Sequence, residues 1–577
     1  MTVVEAPAPA VGRLGFARHE DVDLFVARLE AYERGELSPD EWRSFRLLNG
    51  VYGQRQDGVN MIRAKLPGGI ATPAQLRALA DVAERYASGK GHVTTRQNVQ
   101  FHFVPSAQSE DALRVLADSG ITTKEACGHS VRNWTCCPLA GVAQGEPFDP
   151  TPYVEALARH LLRGPFSSSL PRKFKPSIGG CCGTDCSQAS INDLGFLARV
   201  RHGQRGFKLV AGGGLSTLRR SALVVEEFVP EAEILEAADA LVRVFHRIGN
   251  RHNKAKARLK WAIDKVGVEA FLADYRAERD KIRGEGGTPL VLPAQPGQPA
   301  RRAPLAHVST PESGFTEWAA TAAQPQKQPG FSAVTLRLVL GDISAPQLRE
   351  LAELAVQFGE GEVRLTNEQN IVLRFVATAR LPALHRELVR VGLAKAGAKT
   401  LADVTSCPGA SSCKIAVTAS RGLASILTEV LDRRPDLVAK GRGLDIKISG
   451  CPNGCGQHYI AGIGFQGGMR KVAGRPAPQY LVYVGGAIGA ERAEFGRLLG
   501  KVPARRAGLA LEHLLDFYSS RGGTSPAFWH AVPLDELKAL IADVGELSDT
   551  DATDADFIDL GETSAFEVVQ GEGECSA

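Results

Sequence analysis

Two stretches of the chain share one pattern of apolar and polar positions. Residues 75–104 (QLRALADVAERYASGKGHVTTRQNVQFHFV) align without a gap with residues 347–376 (QLRELAELAVQFGEGEVRLTNEQNIVLRFV), and twelve of the thirty positions are identical. In each copy, apolar residues first recur at helical spacing and then form a strand-like run. The repeat predicts a duplicated α/β (α+β) unit with a pseudo-twofold axis, in which a single site can form where the copies meet.

The strand-like run of the first copy, His92–Phe103, alternates between apolar and polar residues. Val93 and Phe101 share one face, and the opposite face is wholly polar. Such a face is either solvated or built for a ligand, and the strand alone leaves both interpretations open. The second copy retains the neighbouring Gln-Asn but has Glu368 where the first has Arg96, so the copies have diverged in charge on a common scaffold.

The correspondence extends beyond the repeat at slightly smaller offsets. NWTCCPLAG (133–141) parallels VTSCPGASSC (404–413), and SIGGCCGTDC (177–186) parallels KISGCPNGC (447–455). Between the copies, residues 284–330 contain eight prolines among Gly, Ala, Gln and Thr, which is a linker composition. The chain is therefore predicted to be two copies of one plan, joined near the middle.

The second copy carries four cysteines in two short motifs, C-x5-C and, 37 residues later, C-x3-C. Four thiolates from two loops can surround a [4Fe–4S] cluster, and the nearby Gly, Pro and Ser residues suit loops whose amides approach sulfur. Structural zinc fits less well, since zinc pairs are usually separated by about two to four residues, and buried thiols are a third interpretation. Spacing favours a cluster without deciding it. The four are Cys407, Cys413, Cys451 and Cys455.

Composition and charge limit the class of protein. The chain has 577 residues, 44% of them hydrophobic, and a net charge of +4, as in a soluble multidomain protein. Eleven acids and no Lys or Arg fall between Asp543 and Ala577, so the remainder of the chain carries about +15. A body of this charge suits an anionic ligand, an acidic protein or nucleic acid. We expect most of the acidic tail to lack stable structure.

Nothing in the sequence marks a secreted or membrane protein. The N-terminus lacks an apolar stretch behind a basic start, and no run approaches the roughly 18 apolar residues of a membrane span. Eleven cysteines, an odd number, are better explained as ligands or reduced thiols than as disulfides in such a chain. We therefore expect a cytoplasmic protein with no membrane partner.

The cysteine motifs carry a family resemblance. CPGASSC together with CPNGCGQH resembles the signature of the siroheme-containing sulfite and nitrite reductases, and VTTRQN and LTNEQN resemble that family's paired segments. The likeness runs from about Phe45 to about Val544. It implies that the four cysteines hold a [4Fe–4S] cluster and that Cys455 also bridges to the iron of siroheme. It further implies an assimilatory six-electron reduction of sulfite to sulfide, or of nitrite to ammonia.

The resemblance also implies an anion pocket of two arginines and two lysines on the distal side of siroheme. Each cation alone is more readily explained as a surface charge. Together they match the family's set, which here is Arg96, Arg132, Lys173 and Lys175. Gln97 and Asn98, next in the chain, are expected to contact the cofactor. The basic segment 251–261 is a candidate to bind siroheme's carboxylates, unless it is the basic face of an amphipathic helix.

Lys175 bears on the choice of substrate. In the sulfite reductases that this chain resembles the motif is Lys-x-Lys, as in Lys173-Phe174-Lys175, whereas the nitrite reductases generally have Asn at the second position. A second cation suits the dianion sulfite better than the monoanion nitrite. The sequence therefore favours sulfite, with nitrite as the alternative.

Electrons are expected to come from a separate protein. The chain has no strand, G-x-G-x-x-G and helix fingerprint and no obvious flavin domain. A small acidic ferredoxin suits the basic body, and a flavoprotein is the alternative. A protein of a different class, a zinc-stabilised nucleic-acid-binding protein, would explain the basic body and the four cysteines but not the repeat, so no nucleic-acid partner is expected.

The first copy has cysteines of its own. They lack the C-P-x4-C and CPNGC patterns of the second copy, so we expect reduced, packed thiols and not a second cluster. They are Cys136, Cys137, Cys181, Cys182 and Cys186.

The repeat and the resemblance together divide the chain into predicted units. We expect two ferredoxin-like half-domains and two siroheme-binding domains arranged as three lobes. The predicted bounds are an N-terminal extension at 1–44, ferredoxin-like halves at 45–110 and 331–390, siroheme-binding domains at 111–283 and 391–545, a linker at 284–330 and an acidic tail at 546–577.

Overall fold

The buried apolar residues form three large cores. The computed structural model describes residues 4–6, 13–181, 184–295 and 312–569, with the backbone alone for residues 4–6. One core is shared by both copies of the repeat, and each of the other two belongs mainly to one half of the chain. Three cores correspond to three lobes, a central one and two outer ones. Within the described ranges, no helix combines the length and apolar character needed to span a membrane.

The central lobe begins with the first copy of the repeat. Its long helix starts at a capping box, in which Thr72 accepts a hydrogen bond from the Gln75 amide and Gln75 reaches back to Thr72, with Pro73 in the first turn. Ahead of this lobe, β1 (Val4–Ala6) forms a separate two-stranded parallel sheet with residues 291–293. The elements of the lobe in chain order are α1 (His19–Glu33), α2 (Pro39–Leu48), β2 (Val51–Gly53), β3 (Val59–Ala64), β4 (Ile70–Ala71), α3 (Pro73–Tyr86), β5 (Lys90–Val93), β6 (Val99–Pro105) and α4 (Ser109–Asp118).

The first outer lobe is a mixed five-stranded sheet with its helices. Its elements are β7 (Thr135–Cys136), α5 (Thr151–Leu161), β8 (Pro176–Gly179), β9 (Leu194–Arg201), β10 (Gln204–Ala211), β11 (Leu223–Pro230), α6 (Ile234–Ile248), α7 (Leu259–Val266) and α8 (Val268–Gly284). The strand order is β11-β10-β9-β8-β7, with β7, β8 and β9 parallel and the other pairs antiparallel. The loops after β7 and β8 therefore leave the same edge of the sheet.

The second copy of the repeat returns to the central lobe. Ser344 and Gln347 form the same capping box as in the first copy, and the helix that they start packs against α3. The elements are β12 (Val291–Pro293), α9 (Phe315–Ala322), β13 (Ala323–Pro325), β14 (Phe331–Leu336), β15 (Asp342–Ser344), α10 (Ala345–Phe358), β16 (Val363–Leu365), β17 (Ile371–Ala377) and α11 (Leu381–Arg390).

The second outer lobe repeats the topology of the first. Its elements are β18 (Thr405–Ser406), α12 (Ser420–Arg433), α13 (Pro435–Lys440), β19 (Ile446–Ser449), β20 (Ile463–Val472), β21 (Arg475–Val484), β22 (Ala487–Ile488), β23 (Ala493–Glu494), β24 (Arg497–Pro503), α14 (Ala507–Ser520), α15 (Phe528–Ala531), α16 (Leu534–Ala539) and α17 (Ala542–Gly545). The order β18-β19-β20-β21-β24 again begins with two parallel pairs. Gln188 and Gln457, equivalent residues of the two lobes, donate to each other's side-chain oxygens at 2.9 and 2.5 Å.

The two copies of the repeat exchange short strands. The first central sheet is ordered β15-β5-β6-β3-β2 and the second β13-β14-β17-β16-β4. Asp342 of β15 pairs with His92 of β5, and Ile70 of β4 pairs with Arg364 of β16. Each sheet thus ends in a strand from the other half of the chain, so neither half completes its sheet alone. The duplicated fold expected from the repeat is confirmed, with the copies interlocked.

The prediction of one continuous strand over His92–Phe103 is wrong. β5 ends at Val93 and β6 begins at Val99, and the residues between them form a turn. The Thr94 hydroxyl accepts hydrogen bonds from the amides of Arg96 and Asn98, both at 3.2 Å, which closes the turn. Alternation along the sequence does not reveal this turn, because the side chain that closes it bonds to nearby backbone amides without interrupting the pattern.

The acidic tail is packed, contrary to expectation, as far as residue 569. Asp559 accepts a hydrogen bond from the Ala419 amide at 2.6 Å, and Leu560 and Phe566 are buried. These apolar residues, spaced among the acids, anchor a segment whose net charge alone suggested disorder. Residues 570–577 lie outside the described part.

The Pro-rich range 284–330 also contains regular structure. It holds β12, α9 and β13, and β13 pairs with β14 of the second copy. Residues 296–311, in the middle of the predicted linker, lie outside the described ranges. The composition therefore indicates a connection whose two ends are folded onto the lobes.

Candidate active site

A deep cleft is lined by residues of both halves of the chain. The space between its walls, counted together with the open solvent at its mouth, is about 1280 Å³. The first half contributes basic and polar side chains, and the second half contributes the cysteine loops. Nine of the predicted site residues line it, namely Arg96, Asn98, Arg132, Lys173, Lys175, Cys407, Cys413, Cys451 and Cys455.

The cysteines follow two parallel strands of the second outer lobe. Cys407 comes directly after β18, and Cys451 lies two residues after the end of β19, so both motifs leave the carboxyl edge of the sheet. The Cys407 amide donates to the Ile448 carbonyl at 3.2 Å, and the Gly450 amide donates to the Cys407 sulfur at 3.3 Å. The two loops are therefore fastened to each other through the first cysteine.

The four sulfurs of this half differ in exposure. Cys407 and Cys451 are buried, and burial raises the pKa of both thiols, whereas Cys413 is half-buried and Cys455 is exposed. Of these four described cysteines, no three have their sulfurs within 4.8 Å of one another. Their sulfurs are thus further apart than the ligands of a single metal ion would be.

Loops of the first half brace the cysteine loops. The Thr95 hydroxyl, on the turn between β5 and β6, donates to the Cys455 carbonyl at 3.0 Å. Arg55, after β2, donates to the Ala416 carbonyl at 2.9 Å, and its own amide donates to the carbonyl of Ser412 at 3.0 Å. The position of the exposed cysteine thus depends on contacts across the pseudo-twofold relation.

Arg96, next to Thr95 on the same turn, is held on several sides. Its guanidinium donates to Asn192 at 2.8 Å and to the carbonyls of Pro176 at 2.9 Å and Asn133 at 2.5 Å, while its buried Nε has no partner among the described residues. Burial lowers the pKa of Arg96 to about 9. Arg132 is likewise buried and donates to two backbone carbonyls of its own loop. Both arginines are therefore fixed before any ligand arrives.

Lys175 is held among other cations. Its amide donates to Asp193 at 2.8 Å, and the same carboxylate accepts two hydrogen bonds from Arg258, at 3.0 and 2.7 Å. Burial lowers the pKa of Lys175 well below its ordinary value, and the charges of Arg258, Arg96 and Lys173 lower it further. An anion placed among these groups would favour the protonated ammonium, because it reverses the local excess of positive charge.

Gln97 and Asn98 differ in their surroundings. Gln97 does not line the cleft, because its side chain is turned towards Cys136. Its Nε2 donates to the Cys136 carbonyl at 2.7 Å, and its Oε1 accepts from the Cys136 backbone amide at 2.9 Å. Asn98 lines the cleft, and its oxygen accepts from the Leu66 amide at 3.3 Å. Gln97 therefore fixes the turn that carries Arg96 to the first outer lobe.

The basic segment 251–261 lies outside the lining of the cleft. Its helix, α7, begins only at Leu259, so most of the segment is not the face of a helix. The Lys260 ammonium donates to the carbonyls of Leu215 and Leu218 inside the first outer lobe, and burial lowers its pKa to about 7. Arg258 therefore helps to position Lys175 through their shared partner Asp193, and Lys260 fixes the loop that contains Leu215 and Leu218.

Two histidines were not among the predicted site residues. His92 and His102 line the cleft with their ring centroids 6.1 Å apart, and within the part of the chain that the structure describes neither ring nitrogen of His102 has a hydrogen-bond partner. Burial lowers the pKa of His102 to about 3, so this ring is neutral. In the sequence, the signal for both histidines was their place among the polar positions of the run 92–103. In the structure, the signal for His102 is its unsatisfied nitrogens, because unsatisfied buried polar atoms indicate a missing ligand.

Comparison with protein-family models accounts for most of the chain. The description "Nitrite and sulphite reductase 4Fe-4S domain" matches residues 127–282 and again 397–546. The description "Nitrite/Sulfite reductase ferredoxin-like half domain" matches residues 52–119 and 324–391. The chain belongs to the nitrite and sulfite reductase family. Because each description matches twice, the comparison also confirms the duplication.

Relatives in this reductase family include enzymes named for either substrate. The chloroplastic ferredoxin–nitrite reductase of Spinacia oleracea is 31% identical over 479 residues, which cover 81% of this chain and 77% of the relative. The ferredoxin sulfite reductase of Mycobacterium tuberculosis H37Rv is 31% identical over 472 residues, covering 78% and 80%. The solved structure of the M. tuberculosis NirA protein superimposes with a TM-score of 0.73 at 28% identity and covers 88% of this chain and 95% of its own.

The cleft fits the cofactors of nitrite and sulfite reductases, siroheme and a [4Fe–4S] cluster. Four thiols from two loops are the donor set of a cubane, and their wide spacing leaves room for one. The cleft is large enough for a macrocycle beside it, and its buried cations and unpartnered His102 suit the macrocycle's carboxylates. Cys455, exposed at the cleft, would be the cysteine in reach of both groups.

Proposed function

We propose that this chain reduces sulfite to sulfide. The observation that carries the proposal is the convergence of Lys173 and Lys175 with Arg96 and Arg132 on the cleft that also contains Cys455. Four cations provide charge for a small dianion, and Lys175, whose pKa is lowered first by burial and then by the neighbouring cations, would regain a favourable partner when an anion binds. Because nitrite carries one negative charge and sulfite two, nitrite should depend less on Lys175, the second lysine of Lys-x-Lys.

The residues divide the work of binding and proton delivery. Arg96 and Arg132 are held rigid by carbonyl groups, so they orient the anion without reorganising. Lys173 and Lys175 supply ammonium groups to the cleft, and Lys175, whose pKa is lowered mainly by burial, is the stronger acid to give a proton to a departing oxygen. Reduction to sulfide consumes six electrons, and each oxygen leaves as water, so protons must be supplied repeatedly from the cleft.

The cofactors would be held by the second-half cysteines. Cys407, Cys413, Cys451 and Cys455 would ligate the cluster, and Cys455 would in addition ligate siroheme. When bound, these groups supply electrons and an iron at which the substrate is reduced. The protein positions the exposed cysteine through Thr95 and encloses the substrate with its cations.

We propose ferredoxin as the electron donor. The relatives from S. oleracea and M. tuberculosis both carry ferredoxin in their names. The positive charge of the chain up to residue 542 suits a small acidic protein. A flavoprotein remains the alternative donor, and exchange of the donor in a steady-state assay distinguishes the two.

Nitrite is the second candidate substrate, because nitrite reductases are as similar to this chain as the sulfite reductase is. The test is to measure kcat/KM for sulfite and for nitrite with the same reduced ferredoxin and the same preparation. We expect the larger value with sulfite. A larger value with nitrite would overturn the proposed substrate and leave the family assignment intact.

A further inference from the structure

Three cysteines of the first half lie together, away from the cleft. The Cys181 sulfur is 3.4 Å from the sulfur of Cys137 and 3.4 Å from that of Cys186, and all three sulfurs lie within 4.8 Å of one another. Cys137 is buried, and the other two are half-buried. None of the three lines the cleft. Three thiols in this arrangement form a donor set with a partly open side.

The three cysteines occupy the positions that correspond to cysteine ligands of the second half. Cys137 directly follows β7 as Cys407 follows β18, and Cys181 lies two residues after β8 as Cys451 lies two residues after β19. Cys186 corresponds to the exposed Cys455. The chain thus presents sulfur at the same sheet edge in both outer lobes.

The turn that faces each cysteine loop is also duplicated. Thr95 donates to the carbonyl of Cys455 at 3.0 Å, and Asn367, its equivalent, donates to the carbonyl of Cys186 at 3.4 Å. Next to these residues stand Arg96 in one turn and Glu368 in the other. The first-half cysteines are therefore contacted by an equivalent turn, as the second-half cysteines are. This turn carries Glu368 where the other carries Arg96, so its charge is negative.

The spacing of the sulfurs suits one ion better than a cluster. With Zn–S bonds of about 2.3 Å, two sulfurs of a tetrahedral site lie about 3.8 Å apart. The distances of 3.4 Å, all under 4.8 Å, approach this value. In a cubane each cysteine binds a different iron, which separates the sulfurs further, as in the second half.

We propose that Cys137, Cys181 and Cys186 bind a single thiophilic divalent ion, Zn²⁺, at a site separate from siroheme and the [4Fe–4S] cluster. Each thiol gives up its proton on binding, so three thiolates and one Zn²⁺ form a complex of charge −1. The ion joins the loop after β7 to the loop after β8, and among the described residues no further His, Cys or carboxylate belongs to its ligand set. Cys182 lies outside the described residues and is given no role.

Lys399 provides a counter-charge for this complex. Burial lowers the pKa of Lys399, and the charges of Glu368, Cys137, Asp403 and Cys186, in that order, oppose this effect, while the ammonium itself donates to the Gln324 side chain. A trithiolate of net charge −1 is less costly to keep beside such a cation. The site therefore has donors, spacing and charge compensation of its own, independent of the substrate proposed for the cleft.

Metal analysis of the full-length protein, purified with its cofactors under reducing conditions, tests the proposal. We expect about one zinc per chain in addition to iron. Cys137→Ala should lower zinc to less than about a tenth of an equivalent, while iron and the visible absorption stay unchanged. Cys136→Ala, which removes the adjacent buried thiol outside the trio, is the matched control and should keep its zinc.

A second measurement covers the case in which Cys137→Ala does not fold. Co²⁺ is exchanged for zinc in the wild-type protein, and the tetrahedral visible bands and thiolate charge-transfer band should be present there and absent in Cys186→Ala. Three results would each overturn the proposal. The protein could lack zinc and also fail to bind Co²⁺, or both variants could retain zinc. Mass spectrometry of the protein as isolated could also find a disulfide among the three cysteines. Extra iron and labile sulfide lost with Cys137→Ala would also overturn it, in favour of a second cluster.

Discussion

The two outer lobes share one topology and place cysteines at the same strand ends, yet their sulfurs are spaced differently. Three sulfurs of the first lobe gather within 4.8 Å, whereas no three of the four described in the second lobe do. The facing turns differ too, since Arg96 stands beside the second lobe's cysteines and Glu368 beside those of the first. The comparison teaches that the same sheet edge supplies the cysteine positions in both lobes, while the spacing of the sulfurs and the charge of the facing turn differ.

The largest effect is expected from removing a cysteine of the second lobe. Cys451→Ser should lose the cluster iron and most of the siroheme absorption and lower turnover by at least about a hundredfold, since four thiolates are needed to hold a cubane. Iron, labile sulfide and the visible spectrum are measured together. Cys136→Ala in the first lobe should retain both. Full iron and activity in Cys451→Ser would end the assignment of the second-lobe ligands.

Reversing the charge of one turn tests the other half of the comparison. Arg96→Glu gives the first turn the residue of the second and should lower kcat/KM by about 10²- to 10³-fold, because it replaces a preorganised cation that faces the anion. Glu368→Gln, at the equivalent position away from the cleft, should change kcat/KM less than about threefold. Similar losses in the two variants would mean that the two turns do not have different roles.

Lys175→Asn sharpens the comparison between substrates. Loss of one charged hydrogen bond should lower kcat/KM for sulfite by about 10- to 100-fold, and the loss for nitrite should be smaller because a monoanion gains less from the second lysine. Lys256→Asn, an exposed lysine outside the cleft, controls for a general change of charge. Equal losses with both substrates would contradict the proposed role of Lys175.

The smallest effect concerns pH. Burial and neighbouring cations lower the pKa of Lys175 in the free protein, and a bound dianion raises it again. Sulfite binding therefore takes up a proton once the pH exceeds the lowered pKa, so the wild-type KM should rise with pH in that window. The ratio of the Lys175→Asn KM to the wild-type KM, in which the titration of sulfite itself cancels, should fall towards high pH. A ratio that stays constant from pH 6 to 10, a range of about four units, would show that Lys175 does not titrate with binding.

Much of the arrangement was predictable because the repeat is visible in the sequence. The gapless match over residues 75–104 and 347–376 predicted the paired helices and the pseudo-twofold relation, and C-x5-C with C-x3-C indicated one four-thiol site. Motif residues far apart in the chain could be placed at one cleft only through the family resemblance.

Other features have no signal in local periodicity. The exchange of β4 and β15 depends on which edge each short strand meets in three dimensions, and strands of two or three residues carry no alternation to read. The turn at Thr94 interrupts a run whose alternation continues unbroken. The trio of Cys137, Cys181 and Cys186 lacks a recognisable motif, and only the distances between its sulfurs in the folded chain bring it to attention.

The exchanged strands also determine when each central sheet can form during synthesis. When the ribosome has released the first repeat, β5 has an unpaired edge, and its partner β15 emerges only some 250 residues later. At roughly 5–20 residues per second that edge stays open for about 12 to 50 seconds, long enough for mispairing with other nascent chains. A protein cut within residues 296–311 should therefore regain its structure only when both fragments fold in each other's presence. The two copies are therefore related as the subunits of a domain-swapped dimer are, except that both belong to one chain. They can assemble only after the second copy has been synthesised.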